Sequence, residues 1–385
     1  VYLDYAATTP LDPRVLEAML PFFSTEFGNP SSVHRWGQRA EESVEASRAK
    51  VARILGCEPG EVVFTSCGSE SDNLAVRGLA FGERERRGAR HILTSPVEHD
   101  AVLRTAHQLA ETHGFEWEVL RVDAYGRVAV DELARRVRSD TAVVSVIYAN
   151  NEIGSVNPVA DLAALCRERQ VPFHTDAVQA ASQLPVDVGR LGVDLLSLGG
   201  HKFYGPKGVG ALFIRRGWRL LPTLTGGTQE FGLRAGTHNV PLIVGLAAAL
   251  EITVALSQED NVRFRDLRDR LLHQIPAEVR ECRPTGHPVD RLPNHASFVF
   301  RGVDGNALLA ALDQAGFGCS SGSACKTGDP KPSEVLTSIG LPPEWALGSL
   351  RVTVGRPTVP EDVYALVEGL PPIVERLRTA VRSGG

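Results

Sequence analysis

Between residues 60 and 215, short β-prone runs recur at 62–65, 91–95, 116–120, 142–148, 171–175, 194–198 and 210–214. The first six begin about one strand plus one crossover helix apart, the spacing of parallel strands joined by helices. Several are continuously apolar, as expected when both faces of a sheet are covered. Only 11 residues separate the last two runs, too few for a helical crossover, so the seventh strand is expected to be antiparallel. Ahead of this block, 34–55 carries an amphipathic helical pattern stopped at Gly56. Behind it, 240–256 reads as a buried helix leading out of the sheet. The tail changes character, with helix 261–274, strand 295–300, helix 306–315, strand 349–354 and helix 361–381. The pattern predicts an α/β chain in which a seven-stranded, mostly parallel sheet forms a large domain over 13–256. A smaller α+β domain is expected from 1–12 and 257–385.

Composition narrows the function. Hydrophobic residues make up 43% and charged residues 23%, an ordinary globular balance. Forty-one Lys+Arg against 46 Asp+Glu give a net charge of −5, which argues against direct nucleic-acid binding. The longest uninterrupted apolar run, 240–250, is short of the ~20 residues that span a bilayer, so no membrane segment is expected. The first residues show no basic-then-apolar leader. Cys57, Cys67, Cys166, Cys282, Cys319 and Cys325 form no CxxC, and no His pair stands at zinc-ligand spacing. Six thiols are too sparse for a disulfide scaffold. The expectation is a reduced, cytoplasmic protein with no structural metal.

In open parallel sheets, ligands bind at the carboxyl ends of the strands. There this sequence places Ser66-Cys67-Gly68-Ser69, Glu98-His99, Asn150-Asn151-Glu152, Asp176 with Gln179, and Gly199-Gly200-His201-Lys202. Singly, each is better explained as a cap or turn. Together, at one edge, they point to a site. Gly68 and Ser69 open a helix whose amides suit a phosphate, with the ordinary N-cap reading still open. Asp176 and Lys202 end adjacent strands. They match what pyridoxal 5'-phosphate requires, a lysine for the Schiff base and a carboxylate on the pyridinium nitrogen. A P-loop is excluded, because Gly200-His201-Lys202 continues into Phe203-Tyr204-Gly205-Pro206. A second constellation, 318–333, is rich in Gly, Ser and Pro and carries Cys325 beside Lys326, whose charge favours thiolate. Reactive and incidental readings of Cys325 both stand on pattern alone. Cys319, beside Phe317, is expected in the core.

These segments, with Tyr2-Leu3-Asp4-Tyr5-Ala6-Ala7-Thr8-Thr9-Pro10, Phe27-Gly28-Asn29-Pro30-Ser31-Ser32 and Ser320-Ser321-Gly322-Ser323-Ala324-Cys325, resemble the cysteine desulfurases of the class V aminotransferase group. The last loop resembles the branch serving iron–sulfur cluster assembly and nitrogen fixation. The resemblance covers nearly the whole chain. It implies a homodimeric fold-type-I pyridoxal-phosphate enzyme that converts L-cysteine to L-alanine. Lys202 would hold the cofactor and move protons, Asp176 would pair with the pyridinium, and Gln179 would bond the ring hydroxyl with Asn151 nearby. His99 would stack on the ring as acid/base. Gly68, Ser69, Gly199 and His201, joined by Thr237 of the partner subunit, would form the phosphate site. Arg351, with Asn151, would hold the substrate carboxylate, a task suited to a bidentate guanidinium. Cys325 would attack the substrate sulfur and pass a persulfide to an acceptor such as an iron–sulfur scaffold or a thiolation relay. Three positions depart from the family pattern: Gly199 and Ser69 stand where Ser and Thr are usual, and Lys326 replaces a Thr or Ser. The alternatives are selenocysteine lyase or other class V aminotransferase activity, and a partner-binding scaffold without catalysis.

Overall fold

The computed structural model describes residues 1–322 and 332–383. Seven strands form the large sheet: β1 (Val62–Thr65), β2 (His91–Thr94), β3 (Glu116–Val119), β4 (Thr141–Ser145), β5 (Phe173–Asp176), β6 (Leu195–Gly199) and β7 (Gly210–Ile214). Their order is β1-β7-β6-β5-β4-β2-β3. β7 is antiparallel to both neighbours, with Thr65 opposite Gly210 and Gly199 opposite the same residue on the other side. The remaining pairs are parallel, so the carboxyl ends of β1, β2, β4, β5 and β6 share one edge. The seven-stranded, mostly parallel sheet with an antiparallel last strand is as the spacing predicts. β4 stops at Ser145, earlier than the apolar run implies, although Val146 and Tyr148 still donate to His174 and Asp176 across the gap.

Helices cover both faces. α1 (Arg35–Leu55) turns its Val44, Val51 and Leu55 inward and ends on Gly56. α2 (Gly68–Arg87) and α3 (Asp100–His113) pack on the opposite face through Leu74, Leu79, Val102 and Leu109. The sequence predicts two helices at 240–256 and 261–274. The structure joins them in one 39-residue helix, α4 (Val240–Glu278). The stretch between them, Ser257-Gln258-Glu259-Asp260, is polar but contains no Gly or Pro to break a helix. The first half of α4 is buried in the large core through Ile243, Leu246 and Leu250. Its second half packs Phe264, Leu267, Leu271 and Ile275 into a separate core. Among the described residues α4 is the one helix long and apolar enough to cross a bilayer by length and composition, which the broken apolar run did not foretell.

The second core lies under a three-stranded antiparallel sheet, β8 (Cys282–Pro284), β9 (His295–Phe300) and β10 (Ser349–Thr353), in the order β10-β9-β8. β8 is unforeseen because it is three residues long and ends in proline, an edge-strand feature. Helices α5 (Gly305–Gln314) and α6 (Pro360–Ser383) close this unit. The first residues join it: Leu3 is buried there, donating to Gly318 O and accepting from Thr353 N, both at 2.8 Å. This stitching brings Asp4, Ala6 and Ala7 to the edge of the large sheet.

Candidate active site

At the carboxyl edge, strand ends and helix starts enclose a cavity of about 280 Å³. Lys202 follows β6 and projects into it, with Nζ donating to Ala6 O and Ala7 O at 2.7 Å each. Burial, then the Arg351 charge, pushes its amine down to about 8, so a nucleophilic neutral form is accessible near neutrality. Asp176 ends β5 and is almost fully buried, with Oδ1 accepting the Val178 N–H at 2.8 Å. Burial raises its carboxyl, and the nearby His99 and Lys202 oppose that rise. A carboxylate buried this deeply has a strong need for a cationic partner. A protonated ring nitrogen meets that need.

The other end of the cavity is the start of α2. Gly68 and Ser69 line it, and the first N–H groups of a 20-residue helix point there. Val178 closes the back of this cradle. A Cβ on Gly68 would stand 2.7 Å from Val178 Cγ2, and one on Gly199 would stand 3.2 Å from Val178 Cγ1. The space a serine at 199 would use is thus partly filled by Val178. His201 bonds Thr8 Oγ1 through Nδ1 at 3.1 Å. Burial, then Lys202, lowers it to about 4, so it meets an anion as a neutral hydrogen-bonding ring.

Arg351, on β10, closes the cavity from the second sheet. Its Nη2 pairs with Asp4 at 2.9 Å and its Nη1 donates to Asn151 O at 3.0 Å. Among the described residues its buried Nε has no partner, which leaves donor capacity for a carboxylate. His99 caps α3, accepting the Ala101 N–H on Nδ1 at 3.1 Å, which places the proton of the neutral ring on Nε2. An adjoining cleft of about 540 Å³ shares His99 and Asn151 and is bounded by Glu152, Gly322 and Ser333.

Lys202, Asp176, His99, Asn151, Gln179, Gly68, Ser69, His201 and Arg351 therefore converge. In this chain Gln179 spends its amide N–H on Ala6 O, at 2.8 Å. Thr237 is exposed and lies outside the cavity of its own chain. Cys325 and Lys326 lie outside the described residues. Sequence reasoning missed Asp72, Asp4, and the Ala6–Ala7 carbonyls that hold Lys202. Asp72 lines the cavity, is fully buried, and has its acid raised well above the usual range by burial and then by Asp176. It lies four residues after Gly68 on the same face of α2, so helical periodicity was the signal that could have found it. Glu98 belongs to the same layer. Burial pushes it up to about 8, while Oε1 takes the Ile147 N–H at 2.7 Å and Oε2 is unpartnered among the described residues.

The residues present fit pyridoxal phosphate: a lysine amine, a buried carboxylate, a helix-start cradle and a guanidinium with a free buried N–H surround one cavity. The class V aminotransferase pattern matches residues 1–366. Cysteine desulfurase IscS of Methanosarcina thermophila is 46% identical over 378 residues, covering 98% of this chain and 93% of that protein. Cysteine desulfurase IscS of Dictyoglomus turgidum is 45% identical over 379 residues, covering 98% and 95%. A solved NifS-like protein superposes with a TM-score of 0.91 at 36% identity, covering 98% of this chain and 100% of that one. The chain belongs to the class V aminotransferases and, within them, to the cysteine desulfurases, which depend on pyridoxal phosphate.

Proposed function

We propose that this enzyme removes sulfur from L-cysteine, releases L-alanine, and receives the sulfur on Cys325 as a persulfide for transfer to an acceptor such as an iron–sulfur scaffold. The observation that carries the reading is the placement of Lys202 and Asp176 in one buried cavity closed by Arg351. When bound, pyridoxal phosphate supplies an electron sink for negative charge at the substrate Cα. Asp176 would hold the proton on its ring nitrogen, and Gly68, Ser69 and His201 would hold its phosphate. The remaining tasks belong to side chains. Arg351, with Nε and unused Nη protons, orients the substrate carboxylate. Lys202, with its amine lowered to about 8, exchanges a proton at Cα at neutral pH.

Sulfur removal balances as a displacement. The Cys325 thiolate forms a bond to the substrate Sγ, the Cβ–Sγ bond breaks, and its electron pair stays on Cβ, which takes a proton to become the alanine methyl group. Cys319 is unsuited to the task, since burial pushes its thiol up to about 12.

The site is completed in a homodimer by Thr237 of the partner subunit. Leu20, Phe23, Phe27, Val33 and Trp36, with Leu224 and Phe231 near the Thr237 loop, are large apolar side chains exposed in the single chain, a sign of a surface that is covered. The divisions 13–256 and 1–12 with 257–385 serve as cofactor-binding and closing units of a cytoplasmic enzyme. Borohydride trapping of the cofactor tests the site. Label is expected on the peptide holding Lys202 and lost in Lys202→Ala; label on Lys207 would overturn the assignment.

A further inference from the structure

We infer that His295 is a positioning residue for the substrate carboxylate: its ring N–H fixes the Asn151 carbonyl against which Arg351 is held. The inference rests on the reading of Arg351 as the carboxylate anchor. Asn151 O takes two donors, Arg351 Nη1 at 3.0 Å and His295 Nε2 at 3.2 Å. On the second sheet, Ser297 of β9 stands opposite Arg351 of β10, and His295 stands opposite Thr353. His295 and Arg351 are therefore diagonal neighbours on one face, within reach of a shared acceptor. Asp4 holds Nη2 at 2.9 Å from the other side. The guanidinium is thus set between one carboxylate and one carbonyl, and the carbonyl is set by His295.

The ring can serve only as a donor at that point. A carbonyl oxygen offers no proton, so the hydrogen between them belongs to Nε2. Nδ1 is buried and has no partner among the described residues, so nothing stabilises the other tautomer. Burial, then the charges of Arg291 and Arg351, holds the ring well below its ordinary value, which keeps it neutral with a single proton. Its place is fixed as well. His295 is fully buried, and Gly154, at φ 76°, packs against the base of its side chain. A Cβ on Gly154 would stand 2.7 Å from His295 Cγ and 3.0 Å from its Cβ. The turn holding Asn151 is closed by Gly154 N–H on Asn150 O at 3.0 Å, and Gly154 O takes the Leu292 N–H at 2.9 Å. Without the Nε2 donor the Asn151 carbonyl loses its anchor on β9, and Arg351 loses a fixed reference. Lys202, Asp176 and the phosphate cradle are untouched, because His295 stands behind the cavity and does not line it.

The test uses full-length holoenzyme and two ligands, L-alanine and ethylamine, which is alanine without its carboxylate. Half-saturation of the change each induces in cofactor absorbance is read for wild type, His295→Gln, His295→Asn and His295→Leu, with cofactor content and Tm alongside. Gln carries an amide donor at the level of Nε2, whereas the Asn amide sits at the level of Nδ1 and Leu has no donor. His295→Asn and His295→Leu are expected to raise half-saturation for L-alanine about three- to tenfold, the loss of one hydrogen bond. Ethylamine should be unaffected and cofactor fully retained. His295→Gln is expected to stay close to wild type. The two amides differ by one methylene, so their comparison decides the matter even where the apolar variant fails to fold. Wild-type L-alanine binding in the folded Asn and Leu variants overturns the inference, as does a His295→Gln as weak as His295→Asn. A parallel rise for both ligands, or loss of cofactor from all three variants, also overturns it, since His295 would then only fill space. Arg351→Gln is the control: unchanged L-alanine binding there is a separate result, and overturns the carboxylate reading of Arg351 instead.

Discussion

At the scale of single residues, the site is built from side chains whose ordinary chemistry is altered by burial. Lys202 at about 8 is the clearest case. Its amine is increasingly neutral as pH rises through that value, so recapture of pyridoxal phosphate by the apoenzyme should accelerate between pH 7 and 9 and level off above. Stopped-flow absorbance checks this, and a rate flat across that range would remove Lys202 as the titrating group. Val178 supplies a second residue-scale prediction. It already crowds Gly199, so Gly199→Ser alone should weaken cofactor retention or leave it unchanged. Adding Val178→Ala should make room for the hydroxyl and recover about 0.5–1.5 kcal/mol, the net worth of one hydrogen bond. Equilibrium dialysis of the two single variants and the double variant measures the coupling, and additive effects would show that the two positions do not share space. The residues of this layer were legible because each follows a strand or opens a helix. Asp4 and the Ala6–Ala7 carbonyls were not, because only the long-range pairing of Leu3 with Gly318 and Thr353 brings them in.

At the scale of elements, the segment leading to Thr237 is held by a buried ion pair. Arg48 on α1 donates from both Nη atoms to Glu230 at 2.8 Å, and His238 Nε2 and Phe64 N also contact that carboxylate, each at 2.7 Å. Glu230 and Phe231 both adopt positive φ, 47° and 59°, a strained conformation that the network over-determines. Burial pushes the Glu230 acid up, but Arg48 and His238 outweigh it and hold it down to about 2. Because this carboxyl titrates lower in the folded state, its contribution is complete above the unfolded value of 4.5 and is lost as pH falls toward 2. Acid unfolding should therefore show a loss of roughly 3 kcal/mol over that window, and Glu230→Gln should abolish this component while lowering stability at pH 7. Urea melts at stepped pH values read both effects; an unchanged acid limb in Glu230→Gln would contradict them. Spacing revealed the strands of the large sheet and the reversed seventh strand, since crossover length is written directly in the sequence. It misread α4 as two helices, because a polar stretch without Gly or Pro looks like a linker when it lies between two cores, one at each end of a single helix.

At the scale of the whole molecule, the fold and the family point to the same chemistry. Two cores joined by α4 bring a lysine, a carboxylate and a guanidinium to one cavity, and relatives matching nearly the entire chain are cysteine desulfurases. The proposed completion of the site by Thr237 of the partner subunit would tie cofactor to assembly, since a ligand stabilises the state that binds it. Sedimentation of apo and holo protein across a dilution series should show the dimer persisting to lower concentration when pyridoxal phosphate is bound. A fully active holo monomer would rule out a shared site. The central claim is that Cys325 receives the substrate sulfur, and one measurement reaches it most directly. Wild type, Cys325→Ser and Cys319→Ser are mixed with L-cysteine in a single turnover, with alanine quantified and persulfide located by peptide mapping. Persulfide is expected on Cys325, with near-normal alanine from Cys319→Ser and loss of alanine from Cys325→Ser despite full cofactor content, because a hydroxyl attacks sulfur poorly. Undiminished alanine from Cys325→Ser, or persulfide on Cys319, would contradict it.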